Sequence, residues 1–152
     1  MCIEFKPIGV IHSPFKNPQD IVRERNTDPE GFADVKGEIE IHPEFAAGLD
    51  DIDGFSHLIV VFIFHEAAEA RLTAHPPYDQ KERGVFATRS PHRPNPIGVT
   101  VVQLEGRIKN RLSVTELDMV EGTPVLDIKP YTQRDRKENI RLGWLTPFQK
   151  AR

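Results

Sequence analysis

Phe55-Ser56-His57-Leu58-Ile59-Val60-Val61-Phe62-Ile63-Phe64 is an almost unbroken run of aliphatic, β-branched and aromatic residues. Its continuity reads as a strand buried on both faces, and hence as the centre of a sheet. The neighbouring segments supply partners for it. Val35, Gly37, Ile39 and Ile41 alternate with Lys36, Glu38, Glu40 and His42, the pattern of a half-buried strand. Phe5 to Ile11 reads as a first strand closed by Pro14, Ile97 to Leu104 as another, and Leu112 to Leu117 as its hairpin partner across an Arg107–Arg111 turn. Gly122-Thr123-Pro124 turns into a short strand, Val125 to Ile128. Pro43 to Gly48 suits one or two helical turns, with proline at the start and glycine at the end. His65 to Leu72 has room for a short helix confined by Pro76 and Pro77. Asn17 to Ala33 has no sustained period and reads as an irregular loop, either mobile or ordered by something bound.

Parallel strands need crossovers of a dozen or more residues, usually helical, and no long amphipathic helix is present to supply several of them. The sheet is therefore expected to be antiparallel. About seven short strands with proline and glycine turns close most simply into a barrel or a sandwich, in one domain. A net charge of −3 argues against a protein that coats nucleic acid indiscriminately, although a local basic patch is compatible with it. Cys2 is the only cysteine, which excludes an internal disulfide framework and a multi-cysteine metal site and fits a reducing, cytoplasmic compartment. The longest apolar run, Leu58 to Phe64, is too short to span a bilayer, and no membrane role or metal is expected.

The segment least explained by packing is Gly84 to Thr100, which contains Arg89-Ser90-Pro91-His92-Arg93-Pro94-Asn95-Pro96. Its three prolines fix their own φ and push Ser90, Arg93 and Asn95 towards extended backbone, so it is a stiff loop carrying polar groups. Two guanidiniums on such a loop suit a carboxylate, a phosphate or a nucleotide edge, whereas a solvated proline-rich connector is the plainer reading. A second concentrated stretch runs from Leu117 to Tyr131, where Asp118 and Asp127 flank a Gly-Thr-Pro turn near Lys129 and Tyr131. Each aspartate alone would be a turn cap. His65 and Glu66 follow the central strand, and a histidine there more often marks a strand end than a ligand. No Gly-x-Gly-x-x-Gly, phosphate-binding Gly-Lys-Ser/Thr or His-Glu-x-x-His motif occurs, which argues against Rossmann, P-loop and zincin chemistry.

Phe86-Ala87-Thr88-Arg89-Ser90-Pro91-His92-Arg93-Pro94-Asn95-Pro96-Ile97-Gly98 and Glu121-Gly122-Thr123-Pro124-Val125-Leu126-Asp127-Ile128-Lys129-Pro130-Tyr131 resemble the TrmO (TsaA-like) family. The likeness extends through Gly9-Val10-Ile11-His12-Ser13-Pro14-Phe15, Ile52 to Leu58 and Arg141-Leu142-Gly143-Trp144, and so covers nearly the whole chain. The resemblance implies a β-barrel, a homodimer with its site near the subunit interface, and S-adenosylmethionine as cofactor. It also implies transfer of the cofactor's methyl to N6 of threonylcarbamoyladenosine beside the tRNA anticodon. Cofactor contacts are implied for Arg23, Glu24, His65, Glu66, Arg89, Val99, Glu116, Leu117, Asp118 and Met119. The family tends to have Pro-Arg-Gln where this chain has Val22-Arg23-Glu24, which puts a carboxylate at that contact. Larger relatives append a C-terminal domain, and residues 1–152 are expected to form a single barrel domain without it.

Under that resemblance, Arg93, Asn95, Lys129 and Tyr131 are the expected substrate contacts. Asp127, His65 and Glu24 are the candidates to accept the proton that N6 must lose. Between Lys129 and Arg152 basic residues outnumber acidic ones, which suggests contact with the tRNA backbone. Two other readings stay open: a methyltransferase of the same fold acting on a small metabolite, and a non-catalytic S-adenosylmethionine-binding regulatory module.

Overall fold

A computed structural model describes residues 1–27, 31–76 and 79–149. Pro77, part of the expected 65–72 helix boundary, and the last basic residues of the tail, Lys150 and Arg152, lie outside the described residues, as do residues 28–30 of the expected loop. In chain order the elements are β1 (Gly9–His12), α1 (Pro18–Thr27), β2 (Lys36–Ile41), β3 (His57–Ile63), β4 (Thr73–Ala74), β5 (Arg83–Gly84), β6 (Ile97–Ile108), β7 (Arg111–Thr115) and β8 (Pro124–Pro130), with short 3-10 turns between them. The expected antiparallel barrel forms with six strands in its wall, ordered β1-β2-β7-β6-β3-β8 and closed on itself, and β4–β5 stand apart as a two-residue ladder. Closure leaves the barrel without an open sheet edge.

β3 is central as expected, paired with both β6 and β8, but it is not buried on both faces. Leu58, Val60 and Phe62 point inward at 0–3% exposure, while Ile59, Val61 and Ile63 on the outer face are only partly covered. A barrel wall has one dry side, and among the described residues no helical layer lies over the other. The inward residues of all six strands meet in one core with Ile11, Ile39, Ile41, Val102, Leu112, Val114 and Val125. Fully burying each such side chain contributes about 1.5–3 kcal/mol. Gly98 faces Phe62 across the β3–β6 ladder, and a Cβ there would run into the Phe62 ring, so the glycine makes room for the aromatic plug. Likewise a Cβ on Gly37 would meet the Leu117 side chain and the His12 carbonyl.

Three local expectations change. The first strand begins at Gly9 rather than Phe5, whose side chain is exposed. Asn17 to Ala33 is not an irregular loop throughout, because Pro18–Thr27 is an α-helix. Asn17 caps it: its Oδ1 accepts from Asp20 N–H at 3.2 Å, and Asp20 Oδ2 accepts from Asn17 N–H at 3.3 Å. The segment after β3 forms no helix, since its N–H groups turn elsewhere. Ala68 N–H donates to His92 Nδ1 at 3.1 Å and Arg71 N–H to the His92 carbonyl at 3.3 Å.

Candidate functional site

Several expected site segments emerge at one end of the barrel. β1 leads into α1 there, β3 ends into His65-Glu66, the proline loop enters β6 at Ile97, and β7 leaves into Glu116–Met119. Phe64 N–H donates to the Pro96 carbonyl at 2.8 Å, tying the exit of β3 to the loop.

The proline loop holds itself through several of the side chains expected to meet a ligand. Thr88 Oγ1 donates to the Val85 carbonyl at 2.9 Å and accepts from Ser90 N–H at 3.3 Å, and Ser90 Oγ accepts from His92 N–H at 3.3 Å. Arg93 Nη1 donates to the Thr88 and Ser90 carbonyls at 3.0 and 3.1 Å. Arg93 is thus a brace of the loop. Arg89 and Asn95 remain exposed on it.

Inside the mouth, inward positions of β6 give way from Val102 to Thr100 and Gly98, and Asp118 lies against them. Thr100 Oγ1 donates to Asp118 Oδ1 at 2.7 Å. Leu117 and Met119, its chain neighbours, are core residues at 0 and 2% exposure, so Asp118 hangs from a fixed anchor. Loss of hydration pushes the Asp118 carboxyl above the usual carboxylate range, against the opposing Thr100 hydrogen bond and the nearby Arg25 and Arg89 charges. Arg25 was missed by sequence reasoning. It stands at the end of α1 with its guanidinium over the Phe32 ring at 5.8 Å, and Phe32 meets Phe15 edge-on at 5.8 Å. Its signal was Asn17-Pro18-x-Asp20, a helix start that places Ile21, Glu24 and Arg25 on adjacent faces.

Other expected residues are distributed as follows. Arg23 is exposed on α1 with Nη1 3.4 Å from Asp20 Oδ1, and Glu24 is half-buried beside it. His65 and Glu66 are exposed past β3, and Val99 points outward from β6 at 53% exposure. Leu117 and Met119 turn their side chains into the core, leaving only backbone to offer a ligand. Glu116, at a φ of 68°, sits on the outer wall with its carboxylate 3.9 Å from His57 Nε2. Asp127 is also on the outer wall, where it pairs with Lys129 at 2.9 Å and caps Ile128 N–H. Lys129 and Tyr131 lie at the His57 end of β3, where Tyr131 N–H donates to the His57 carbonyl at 3.1 Å. Arg93 and Asn95 lie at the Ile63 end, about 20 Å along the strand at roughly 3.3 Å per residue. Within one chain the four expected substrate contacts therefore form two groups. A shallow cleft of about 410 Å³ lined by Ile8, Ile41, Phe45, Leu49, Asp127 and Ile128 opens away from Asp118, against the 3-10 turn Pro43–Leu49.

Glu121 fixes the mouth from below. It accepts Ser13 N–H at 3.0 Å and lies 3.1 Å from His12 Nδ1, while its own N–H donates to the Phe15 carbonyl at 2.7 Å. The Ser13 hydrogen bond, aided by His12 and Lys16, holds its carboxyl below the usual range. Among the described residues there is no cluster of three or more His, Cys, Asp or Glu placed to hold a metal, and no helix long and apolar enough to cross a membrane.

Residues 10–135 match the family described as the tRNA-methyltransferase O N-terminal domain. The chain is 46% identical over 146 residues to a probable S-adenosyl-L-methionine-binding protein of Pyrococcus abyssi, covering 95% of this chain and 77% of that one. It is 39% identical over 138 residues to the tRNA (adenine(37)-N6)-methyltransferase of Escherichia coli, covering 84% of this chain and 57% of the relative. The crystal structure of TrmO from Pseudomonas aeruginosa superposes with a TM-score of 0.74 at 37% identity, over 95% of this chain and 63% of that one. The chain thus spans less than two thirds of the E. coli and P. aeruginosa proteins. With 126 of its residues inside the family match and a shared barrel, the chain belongs to the tRNA-methyltransferase O N-terminal domain family.

Proposed function

We propose that this protein binds S-adenosylmethionine at the barrel mouth and transfers its methyl group to N6 of threonylcarbamoyladenosine at tRNA position 37, acting in the cytoplasm. The observation that carries the reading is the Asp118 constellation: a carboxylate withdrawn from water, bonded to one hydroxyl and flanked by Arg25 and Arg89. A carboxylate offers about four lone-pair sites, and Thr100 takes one. An amino-acid nucleoside presents amine donors for Asp118 and a carboxylate for a guanidinium, so the donor set fits the cofactor. The names of the P. abyssi and E. coli relatives support the same reading.

The cofactor supplies an electrophilic methyl on a sulfonium, whose sulfur leaves as a neutral thioether and needs no acid. The protein's part is to hold the reacting atoms in line, exclude water and take the N6 proton. Arg89, with Arg23, Glu24, His65, Glu66, Val99 and the Glu116–Met119 segment, makes the cofactor side. The braced loop fixes Arg89 before binding. Asn95, Lys129 and Tyr131 make the substrate side, with Arg93 contributing through the loop it braces. For the proton, His65 and Glu24 are on the mouth side and suit the task, whereas Asp127 is paired with Lys129 on the outer wall.

The two groups of substrate contacts meet if a second copy packs on the outer face of β3 and β6. Ile63–Ile97, Val61–Val99 and Ile59–Val101 are three cross-strand aliphatic pairs on that face, with Ile97, Val99 and Val101 37–53% exposed. A two-fold axis crossing the strands sets the His57 end of one copy against the Ile63 end of the other.

Calorimetric titration of the purified protein with S-adenosylmethionine is expected to give saturable binding, weakened about tenfold or more by Arg89→Ala, which removes a charged hydrogen bond. Radiolabelled methyl should enter tRNA carrying threonylcarbamoyladenosine and not tRNA lacking it. Equal labelling of both, or labelling only of small metabolites, refutes the substrate assignment; binding without turnover on any tRNA leaves a regulatory module.

A further inference from the structure

We propose that the strap between Tyr131 and Trp144 is a docking track for RNA phosphates leading to the Arg89 loop, an inference that rests on the tRNA reading above. Both ends of the strap are pinned. Tyr131 is held at the start of β3 by its N–H to the His57 carbonyl at 3.1 Å and by ring contact with His57 at 6.1 Å. Trp144 is held at the proline loop, where Nε1 donates to the Ala87 carbonyl at 2.8 Å and the Arg83 guanidinium stacks 5.0 Å above the indole. Arg83 is fixed in turn by Asp79, itself only 8% exposed, through a 2.9 Å bond. The strap therefore runs along the molecule from the His57 end of β3 to within two residues of Arg89.

Its charge differs from that of the rest of the chain. Between the pins lie Arg134, Arg136, Lys137 and Arg141 against Asp135 and Glu138, a local balance of +2 on a chain of −3. All four cations are exposed, and among the described residues none makes an ion pair with a carboxylate. By contrast Arg83, Arg107, Arg111 and Lys129 are each committed to one. Asp135 is itself occupied, accepting Thr132 N–H at 2.8 Å in a capping box. The strap has little apolar material exposed beyond Ile140, which disfavours a membrane surface or an apolar protein groove. Exposed guanidiniums on an anchored backbone suit a polyanion whose charges repeat along a line.

The test is fluorescence anisotropy of fluorescein-labelled tRNA transcript titrated with the full chain from 50 to 250 mM salt. The Arg134→Gln/Arg136→Gln/Lys137→Gln/Arg141→Gln variant should flatten the slope of log Kd against log salt by about 3–4, and single variants by about 0.7–0.9 each. Binding of the quadruple variant at 100 mM salt should weaken tenfold or more, while its S-adenosylmethionine affinity by calorimetry and its Tm stay within error of the parent. Lys36→Gln/Lys109→Gln, at the start of β2 and in the β6–β7 turn and away from the strap, should leave the slope nearly unchanged. An unchanged slope in the quadruple variant, with the parent still binding steeply, overturns the strap alone. If the parent binds no tRNA at all, the tRNA reading fails and takes the strap with it. Retention of the parent on anionic phospholipid vesicles in place of tRNA overturns it as well.

Discussion

Asp118 carries opposite consequences for stability and for binding. Burial raises its carboxyl pKa from 3.8, and the Thr100 hydrogen bond and the Arg25 and Arg89 charges offset that only in part. Across the pH window between the unfolded and folded values, the native state holds a proton that the unfolded chain has lost. The associated stability is complete below the unfolded pKa and falls away as pH rises through the folded one. Asp118→Asn removes that loss. The cofactor-free variant is expected to melt above the parent at pH 7, with the difference shrinking as pH falls through the folded carboxyl's range and lost below the unfolded one. Its S-adenosylmethionine affinity should fall by tenfold or more, because an amide cannot give the amine a full negative charge. Differential scanning calorimetry across pH with matched titrations checks both signs; a variant that melts below the parent at pH 7 contradicts the electrostatic origin. Glu121 behaves in the opposite sense, its carboxyl lowered chiefly by Ser13 N–H, so its contribution is present at neutral pH and disappears as the solution is acidified below the usual carboxylate range.

At the level of elements, the proline loop is rigid for two reasons, and the sequence made only one of them visible. Pro91, Pro94 and Pro96 declare restricted backbone directly, since proline acts on its own residue and the one before it. That Thr88, Ser90 and Arg93 spend their side-chain polar groups on the loop itself, and His92 its ring nitrogen on Ala68 N–H, depends on the folded path, which local residue types do not encode. Likewise β2 was legible through its alternation, whereas α1 was obscured because its few apolar residues give a weak period and its start is written in a capping pattern. The partner of Ala87 was invisible for the same reason: Trp144 lies 57 positions away in sequence and reaches its carbonyl only in the fold. That contact sets the strap against the loop, and Trp144→Phe tests it by keeping a ring for Arg83 while deleting the donor. The expected result is a three- to tenfold weaker S-adenosylmethionine affinity with kcat for tRNA little changed, in keeping with about 1 kcal/mol for one hydrogen bond. Trp144 is the only tryptophan, so quenching or shift of its emission on cofactor addition to the parent gives an independent readout of loop coupling. Unaltered affinity together with unresponsive emission would show that the contact does not position Arg89.

Taken whole, the molecule puts an accessible aliphatic wall and its mouth on adjoining strands, β3 and β6. The continuous apolar run that predicted a doubly buried strand was correct in hydrophobicity and wrong about the second face, because a closed barrel buries only the inner side of its wall and a run of apolar residues does not say which faces are covered. The single barrel leaves Ile59, Val61 and Ile63 half-covered against exposed Ile97, Val99 and Val101, while Lys129 and Tyr131 stand about 20 Å from the loop residues expected to share their substrate. The self-association proposed above would account for both features at once, since it would bury the aliphatic pairs and bring the two ends of β3 together across the axis. Val99→Asp places a charge at the centre of that wall, on a side chain already 53% exposed in the protomer. The protomer should tolerate it within about 0.5 kcal/mol, as for other surface substitutions, while a desolvated carboxylate in a close-packed interface is strongly unfavourable. Sedimentation velocity should therefore find the parent as a dimer and Val99→Asp as a folded monomer, with methyl transfer to tRNA reduced by more than tenfold. A monomeric parent, or a monomeric variant with full activity, would mean that each barrel completes its site alone and that the outer wall of β3 and β6 serves another purpose.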